Sequence, residues 1–248
     1  KSLEYIIFDF FFKKKILEKR LNKNYKNNEV INSFVKDGFC KINNFRNFSE
    51  NLNDELKKEN PKLEKFVKKF SITPNLQEKI REFCNKDIKD LLNDLNNLYG
   101  SKIFLAGIKI AENFSYDGKE DVYANKFHVD NNRLTLFKIF VLLSDVNENS
   151  GPTNIVKLSD TKKFKQEINF KNRYNYNETY NDKLIYKNTG NIGDILICST
   201  SRCLHKAGVV SSGISRKMLT LTFVSYPFNE EQDDHFYFID KNKSYNHR

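Results

Sequence analysis

The spacing of apolar residues changes once along this chain, at Gly100, and that change sets what the chain can fold into. Beyond Gly100, Val, Ile, Leu, Phe and Thr gather in short runs of period two, over 103–111, 123–129, 134–143, 153–157, 183–187, 194–199, 205–210 and 217–225. A strand turns successive side chains to opposite faces, so each run is suited to a sheet with one buried face. Many short strands in succession predict a β-sandwich or jelly roll. Before Gly100 the apolar residues recur at three and four instead, which predicts helices over 3–21, 29–35, 61–70 and 76–98. Asp37-Gly38 interrupts the second helix and leads into a short strand at 39–42. Thr73-Pro74-Asn75 opens the long helix and Gly100 closes it. The expected organisation is a single domain, with helical support over 1–100, a β core over 101–226 and a polar tail over 227–248. The Asn- and Tyr-rich segment 171–181 reads as a loop, either a lid or a spacer.

Charge narrows the partners less than it first suggests. The formal net charge is +10, which on its own admits nucleic acid, a membrane surface or an anionic substrate. The Lys residues are interspersed with Glu and Asp, and 30% of all residues are charged. A solvated, Lys-biased surface is the simplest account, with an anionic small substrate next. No aromatic and basic stripe suited to stacking bases is present, so nucleic acid is not expected as a partner. No run reaches the length of a membrane-spanning helix. Cys40, Cys84, Cys198 and Cys203 form no CxxC pair and no zinc-type cluster, which fits reduced thiols in a cytoplasmic protein.

The chemistry concentrates in few residues. Of four histidines, His235 and His247 lie in the polar tail, while His128 and His205 lie in the β region. His128 and Asp130 are one residue apart, which on a strand places both side chains on one face. Taken alone, an HxD pair arises by chance in many proteins. With His205 it offers two imidazoles and one carboxylate, a ligand set that leaves open positions on an octahedral metal and suits iron(II) in oxygenases. Catalytic zinc, with its tetrahedral preference, is a weaker fit. Gly193-Asp194 reads as a tight turn into a buried strand, and Arg216 stands eleven residues past His205 at the start of another. A guanidinium entering a buried strand needs an anion, and a dicarboxylate cosubstrate would supply one.

These residues resemble the phytanoyl-CoA dioxygenase family of iron(II)- and 2-oxoglutarate-dependent oxygenases. The resemblance runs through His128-Val129-Asp130, then Leu136 to Val146, then Glu148-Asn149-Ser150-Gly151-Pro152. It continues at Gly193-Asp194, His205-Lys206-Ala207-Gly208 and Arg216, with an N-terminal echo at Phe34 to Phe39. It implies a mainly β, double-stranded β-helix (a cupin-like jelly roll) with the N-terminal helices packed on the barrel. It implies Fe(II) held by His128, Asp130 and His205, 2-oxoglutarate gripped at its far carboxylate by Arg216, and Phe140 lining that pocket. The implied activity is hydroxylation of a C–H bond in a small metabolite with O2, and the positive net charge favours an anionic one. Lys157-Leu158-Ser159-Asp160 stands where many relatives carry Pro-Gly-Ser-His, and Ala207 where some carry a hydroxyl residue. Asp130 disfavours halogenation, because related halogenases lack that carboxylate. Thr222 stands where nucleic-acid demethylases often carry a second Arg.

If Phe140 faces the pocket, alternation places Lys138 there as well, where it meets an anion or else lies at a solvated strand edge. Two other classes stay open. One is a dioxygenase-like binding module without turnover. The other is a cupin-type metal enzyme that does not use 2-oxoglutarate.

Overall fold

The computed structural model describes Lys19 and residues 28–100, 103–115, 123–130, 136–167 and 182–225. The expected helix at 3–21, apart from Lys19, the loop at 171–181, and His235 and His247 lie outside the described residues.

Two antiparallel sheets carry the fold. The larger has seven strands: β1 (Phe39–Ile42), β2 (Lys62–Glu64), β3 (Val67–Phe70), β4 (Ile103–Phe114), β5 (Phe137–Leu142), β8 (Ile195–Cys198) and β10 (Ser215–Ser225), in the order β1-β8-β5-β10-β4-β3-β2. The smaller has three, β6 (Thr153–Val156), β7 (Ile185–Lys187) and β9 (His205–Ala207), in the order β7-β6-β9. Every pairing is antiparallel. Helices α1 (Glu29–Asp37), α2 (Arg46–Leu56), α3 (Pro74–Glu82) and α4 (Lys89–Tyr99) supply the residues that pack on one face of the large sheet, and α5 (Thr161–Glu167) follows β6.

Alternation along β5 explains the layering. Phe137, Ile139 and Val141 point into the helical layer, where they are buried with Leu219, Leu221 and Phe223 of β10, Ile108 and Ile110 of β4, and Leu92, Leu95 and Leu98 of α4. Phe137 is stacked between Tyr99 at 5.7 Å and Phe223 at 5.2 Å, and meets the edge of Phe34 at 6.2 Å. The opposite face of the sheet looks toward the small sheet. There Phe140, Leu196 and Cys198 pack with Phe39 and with Ile155 of β6. At β5 and β8 the large sheet is therefore covered on both sides, by different chemistry.

Local signals place several element ends. Asn28 caps α1, its side chain accepting from the Ile31 amide, and Gly38 ends the helix with φ 81°. Thr73 caps α3 with Pro74 in its first turn, and Gly100 closes α4 in the left-handed conformation.

The structure corrects three expectations. Residues 61–70, expected as helix, form the β2–β3 hairpin, turning through Lys65 at φ 55°. A helix there would bury little, since Leu63 stays 62% exposed, whereas β3 pairs with the edge of β4 and satisfies its backbone groups. The first hundred residues thus contribute three strands to the sheet. The expected single helix over 76–98 is α3 and α4 joined by a π-helical turn, Phe83–Asp87. That turn adds a residue to the helical repeat and re-phases the apolar stripe, so that Phe83, Cys84 and Ile88 are all buried. The expected strand at 123–129 is a 3-10 turn, Tyr123–Asn125, followed by a single bridge at His128. Helix α2 has no counterpart in the sequence pattern, because it buries only Ser49, Leu52 and Leu56 amid polar residues.

All four cysteines are buried, and none is in a disulfide. Among the described residues no helix is long and apolar enough to cross a membrane. The Phe137→Ala variant is expected to lose about 3–5 kcal/mol of folding stability, measured by urea denaturation. A loss below about 1 kcal/mol would show that the stack is not a core contact.

Candidate metal centre

Backbone pairing, not a continuous strand, brings the first two ligand candidates to the third. His128 and His205 form a reciprocal bridge, each amide donating to the other's carbonyl at 3.0 and 2.9 Å. Two residues on, the Asp130 amide donates to the Thr200 carbonyl at 2.9 Å. The segment from 128 to 130 is thereby laid along β9 and the turn before it, with Phe127 anchored beneath against Phe164 of α5 at 4.9 Å. The side chains of His128, Asp130 and His205 converge, and one ligand atom from each lies within 4.8 Å of the others. The two imidazole rings sit 4.3 Å apart, and His205 Nε2 is 3.9 Å from Asp130 Oδ2.

The ring nitrogens are already assigned. His128 Nδ1 lies 2.7 Å from the Lys126 carbonyl, and His205 Nδ1 lies 3.1 Å from the Cys203 carbonyl. A carbonyl oxygen only accepts, so each Nδ1 carries the proton and donates, which leaves Nε2 as the basic nitrogen. Backbone anchoring of the far nitrogen is what orients a metal-ligating histidine. Both rings are buried, at 7% and 5% exposure. Burial lowers the pKa of His128. Burial, and next the neighbouring His128 ring, lowers that of His205 to about 4. Neutral imidazoles suit a cation. At Asp130, burial acts to raise the pKa, but the Lys138 ammonium, by its charge and its hydrogen bond, outweighs it and the pKa is lowered, so the carboxylate is held ionised. Two neutral imidazoles and one carboxylate within this span fit a divalent transition metal.

Lys138 and Phe140 share the inner face of β5, as alternation along the strand requires. Lys138 Nζ lies 2.8 Å from Asp130 Oδ2, an ion pair with side chains 23% and 15% exposed. Phe140 is buried in the cluster between the sheets. Arg216 enters at the start of β10 and is 3% exposed. Its Nη1 donates to the Gly151 carbonyl, its Nε has no protein partner, and no carboxylate pairs with it among the described residues. Burial lowers its pKa to about 10, still charged at neutral pH. Gly151 has φ 66°, and a Cβ on Gly208 would stand 2.6 Å from the Pro152 carbonyl, so this close backbone approach beside Arg216 requires glycine. A separate concavity on the helical side, lined among others by Asn44, Phe48, Lys79 and Glu82, holds none of these residues.

The structure thus brings together His128, Asp130, His205 and Lys138, with Phe140 and Arg216 on the same sheet face. The Thr200, Lys126 and Cys203 carbonyls, which set the geometry, had no sequence signal because every residue carries one.

No family model matches the sequence, and no curated protein sequence matches it. Solved structures do match the fold. HygX from Streptomyces hygroscopicus, with nickel, 2-oxoglutarate and hygromycin B bound, superposes with a TM-score of 0.56 at 14% identity, over 82% of this chain and 89% of that one. The epimerase SnoN from nogalamycin biosynthesis, in complex with Fe3+, alpha ketoglutarate and nogalamycin RO, gives 0.52 at 13%, over 86% and 84%. The non-heme monooxygenase ThoJ gives 0.51 at 11%, over 78% and 76%. At such identities the likeness is one of fold.

The depressed histidine pKa has a consequence for stability. Above the ordinary value of 6.5 both folded and unfolded His205 are neutral and pH has no leverage. Below it the unfolded histidine takes up a proton that the folded one refuses, so stability falls from pH 6.5 toward about 4. Thermal denaturation of the metal-free protein is expected to show this decline, and His205→Gln to flatten it. An unchanged slope in the variant would mean that His205 is not held neutral.

Proposed function

We propose that this protein is an Fe(II)- and 2-oxoglutarate-dependent dioxygenase that hydroxylates a C–H bond of a small molecule. The observation that carries the reading is a buried His–Asp–His cluster together with a buried, charged Arg216 that shares the sheet face of Lys138 and has no carboxylate partner among the described residues. A desolvated guanidinium without an anion is costly, and a bound dicarboxylate would relieve that cost. The fold likeness to HygX and SnoN, which are described with 2-oxoglutarate bound, supports the same choice. On this reading the two sheets form a double-stranded β-helix, and the N-terminal helices buttress its large sheet.

His128, Asp130 and His205 would hold the metal, Arg216 the far carboxylate of 2-oxoglutarate, and Phe140 the side of its pocket. Bound iron(II), 2-oxoglutarate and O2 would supply the oxidation of a C–H bond, with succinate and CO2 as co-products. The protein's own part is placement. The Lys126 and Cys203 carbonyls fix both imidazoles, the Thr200 carbonyl fixes the Asp130 backbone, and Phe140, Leu196 and Ile155 exclude water from the space between the sheets.

An anaerobic titration with iron(II) followed by 2-oxoglutarate tests the reading. A visible charge-transfer band is expected in the wild type, lost in His205→Ala and weakened by tenfold or more in 2-oxoglutarate affinity in Arg216→Ala. Metal binding without a band would sink the 2-oxoglutarate reading and favour a cupin-type metal enzyme. Absence of metal binding in a folded protein would favour a binding module without turnover.

A further inference from the structure

We infer that Lys138 is an exchangeable counter-ion: it holds Asp130 while no metal is bound, and metal binding frees it to take the metal-proximal carboxylate of the cosubstrate. This rests on the Fe(II)/2-oxoglutarate reading above and adds to it a coupling between the two ligands.

The geometry starts with the 2.8 Å ion pair between Lys138 Nζ and Asp130 Oδ2. Asp130 is the one acidic member of the ligand set, so a metal and the Lys138 ammonium compete for the same carboxylate charge. A divalent ion at Asp130 also stands close to the ammonium, and two cations at such a distance repel. Lys138 therefore weakens metal binding as long as nothing else neutralises it.

Strand register says what can neutralise it. In β10, Thr222 lies opposite Lys138 and Thr220 opposite Phe140, while Arg216 lies further toward the start of the strand. Paired residues share a face, so Lys138 and Arg216 stand on one face with Phe140 between them along the sheet. Lys109 joins the same face through its pairing with Thr220. Lys109 is exposed to solvent there, with Glu64 as well as Lys69 within electrostatic range. No carboxylate pairs with Arg216 among the described residues, and a metal at Asp130 would take the partner of Lys138 as well. A ligand with a negative charge at each end is the complement of this face. Arg216 takes one end, and Lys138, beside the metal ligands, takes the other.

The consequence is reciprocal. Metal frees Lys138 for the anion, and the anion removes the repulsion between Lys138 and the metal, so each tightens the other's binding. Lys138 is a positioning residue for the cosubstrate and a check on metal loading in its absence.

The test measures Mn(II) affinity by calorimetry on the full chain, without and with saturating 2-oxoglutarate, in wild type, Lys138→Met and Lys138→Arg. Lys138→Met is expected to bind Mn(II) roughly tenfold more tightly than wild type when 2-oxoglutarate is absent. The same variant is expected to bind 2-oxoglutarate to its Mn(II) form roughly tenfold more weakly, so that most of the coupling is lost. Lys138→Arg retains the coupling, and circular dichroism melting reports that each variant is folded. A merely structural lysine would weaken both ligands together on removal. Mn(II) affinity that is unchanged or weaker in Lys138→Met overturns the inference. If the wild type binds Mn(II) but never 2-oxoglutarate, the cosubstrate reading fails first, and the metal titration alone still decides whether Lys138 competes for Asp130.

Discussion

Strands β5 and β10 lie side by side at the middle of the large sheet, and each buries one face against the helices. On one face Phe137, Ile139, Val141, Leu219, Leu221 and Phe223 close against the helices. This contact removes a large apolar area from water and fixes the register of both strands, because a slip of one residue would turn every one of these side chains outward. Once the apolar set is committed to the helical side, the alternate set has no choice of direction. Lys138, Phe140 and Arg216 are carried to the inner face as a consequence of burying their neighbours. The helical layer therefore acts on the site through the pleat of the sheet, without touching it.

The candidate metal centre is assembled across the other sheet by backbone hydrogen bonds. The His128–His205 bridge and the Asp130–Thr200 bond dock a short irregular segment beside β9. Carbonyls of Lys126 and Cys203 then select which imidazole nitrogen is basic. Each device costs little sequence specificity, and together they restrict three side chains to one small volume. Electrostatics on this face are unbalanced in favour of cations, with Arg216 buried and Lys138 holding the only carboxylate of the ligand set. Burying such an imbalance is costly, and an anion would offset it. Phe140, Leu196 and Ile155 lower the local dielectric around it, which strengthens both the penalty and the attraction.

Much of this was legible in the chain itself. Period-two spacing after Gly100 marks the strands, Thr73-Pro74 and Gly100 mark helix ends, and His128, Asp130, His205 and Arg216 are picked out by residue type and spacing. These signals survive in one dimension because each rests on local geometry: strand alternation, a cap, or a short spacing between donors. The sequence also carried the two faces of β5, and hence the candidacy of Lys138 for the pocket. Where local periodicity was weak or ambiguous, tertiary contacts decided. Residues 61–70 have helical spacing but become a hairpin, because the edge of β4 offers backbone partners that a solvent-exposed helix would not gain. The π-helical turn at Phe83–Asp87 arises because three residues compete for one buried stripe. The ion pair between Lys138 and Asp130, the carbonyls that orient the histidines, and the unpartnered Nε of Arg216 belong to no local pattern. They depend on distances between segments far apart in the chain, and such distances exist only once the two sheets have closed on each other.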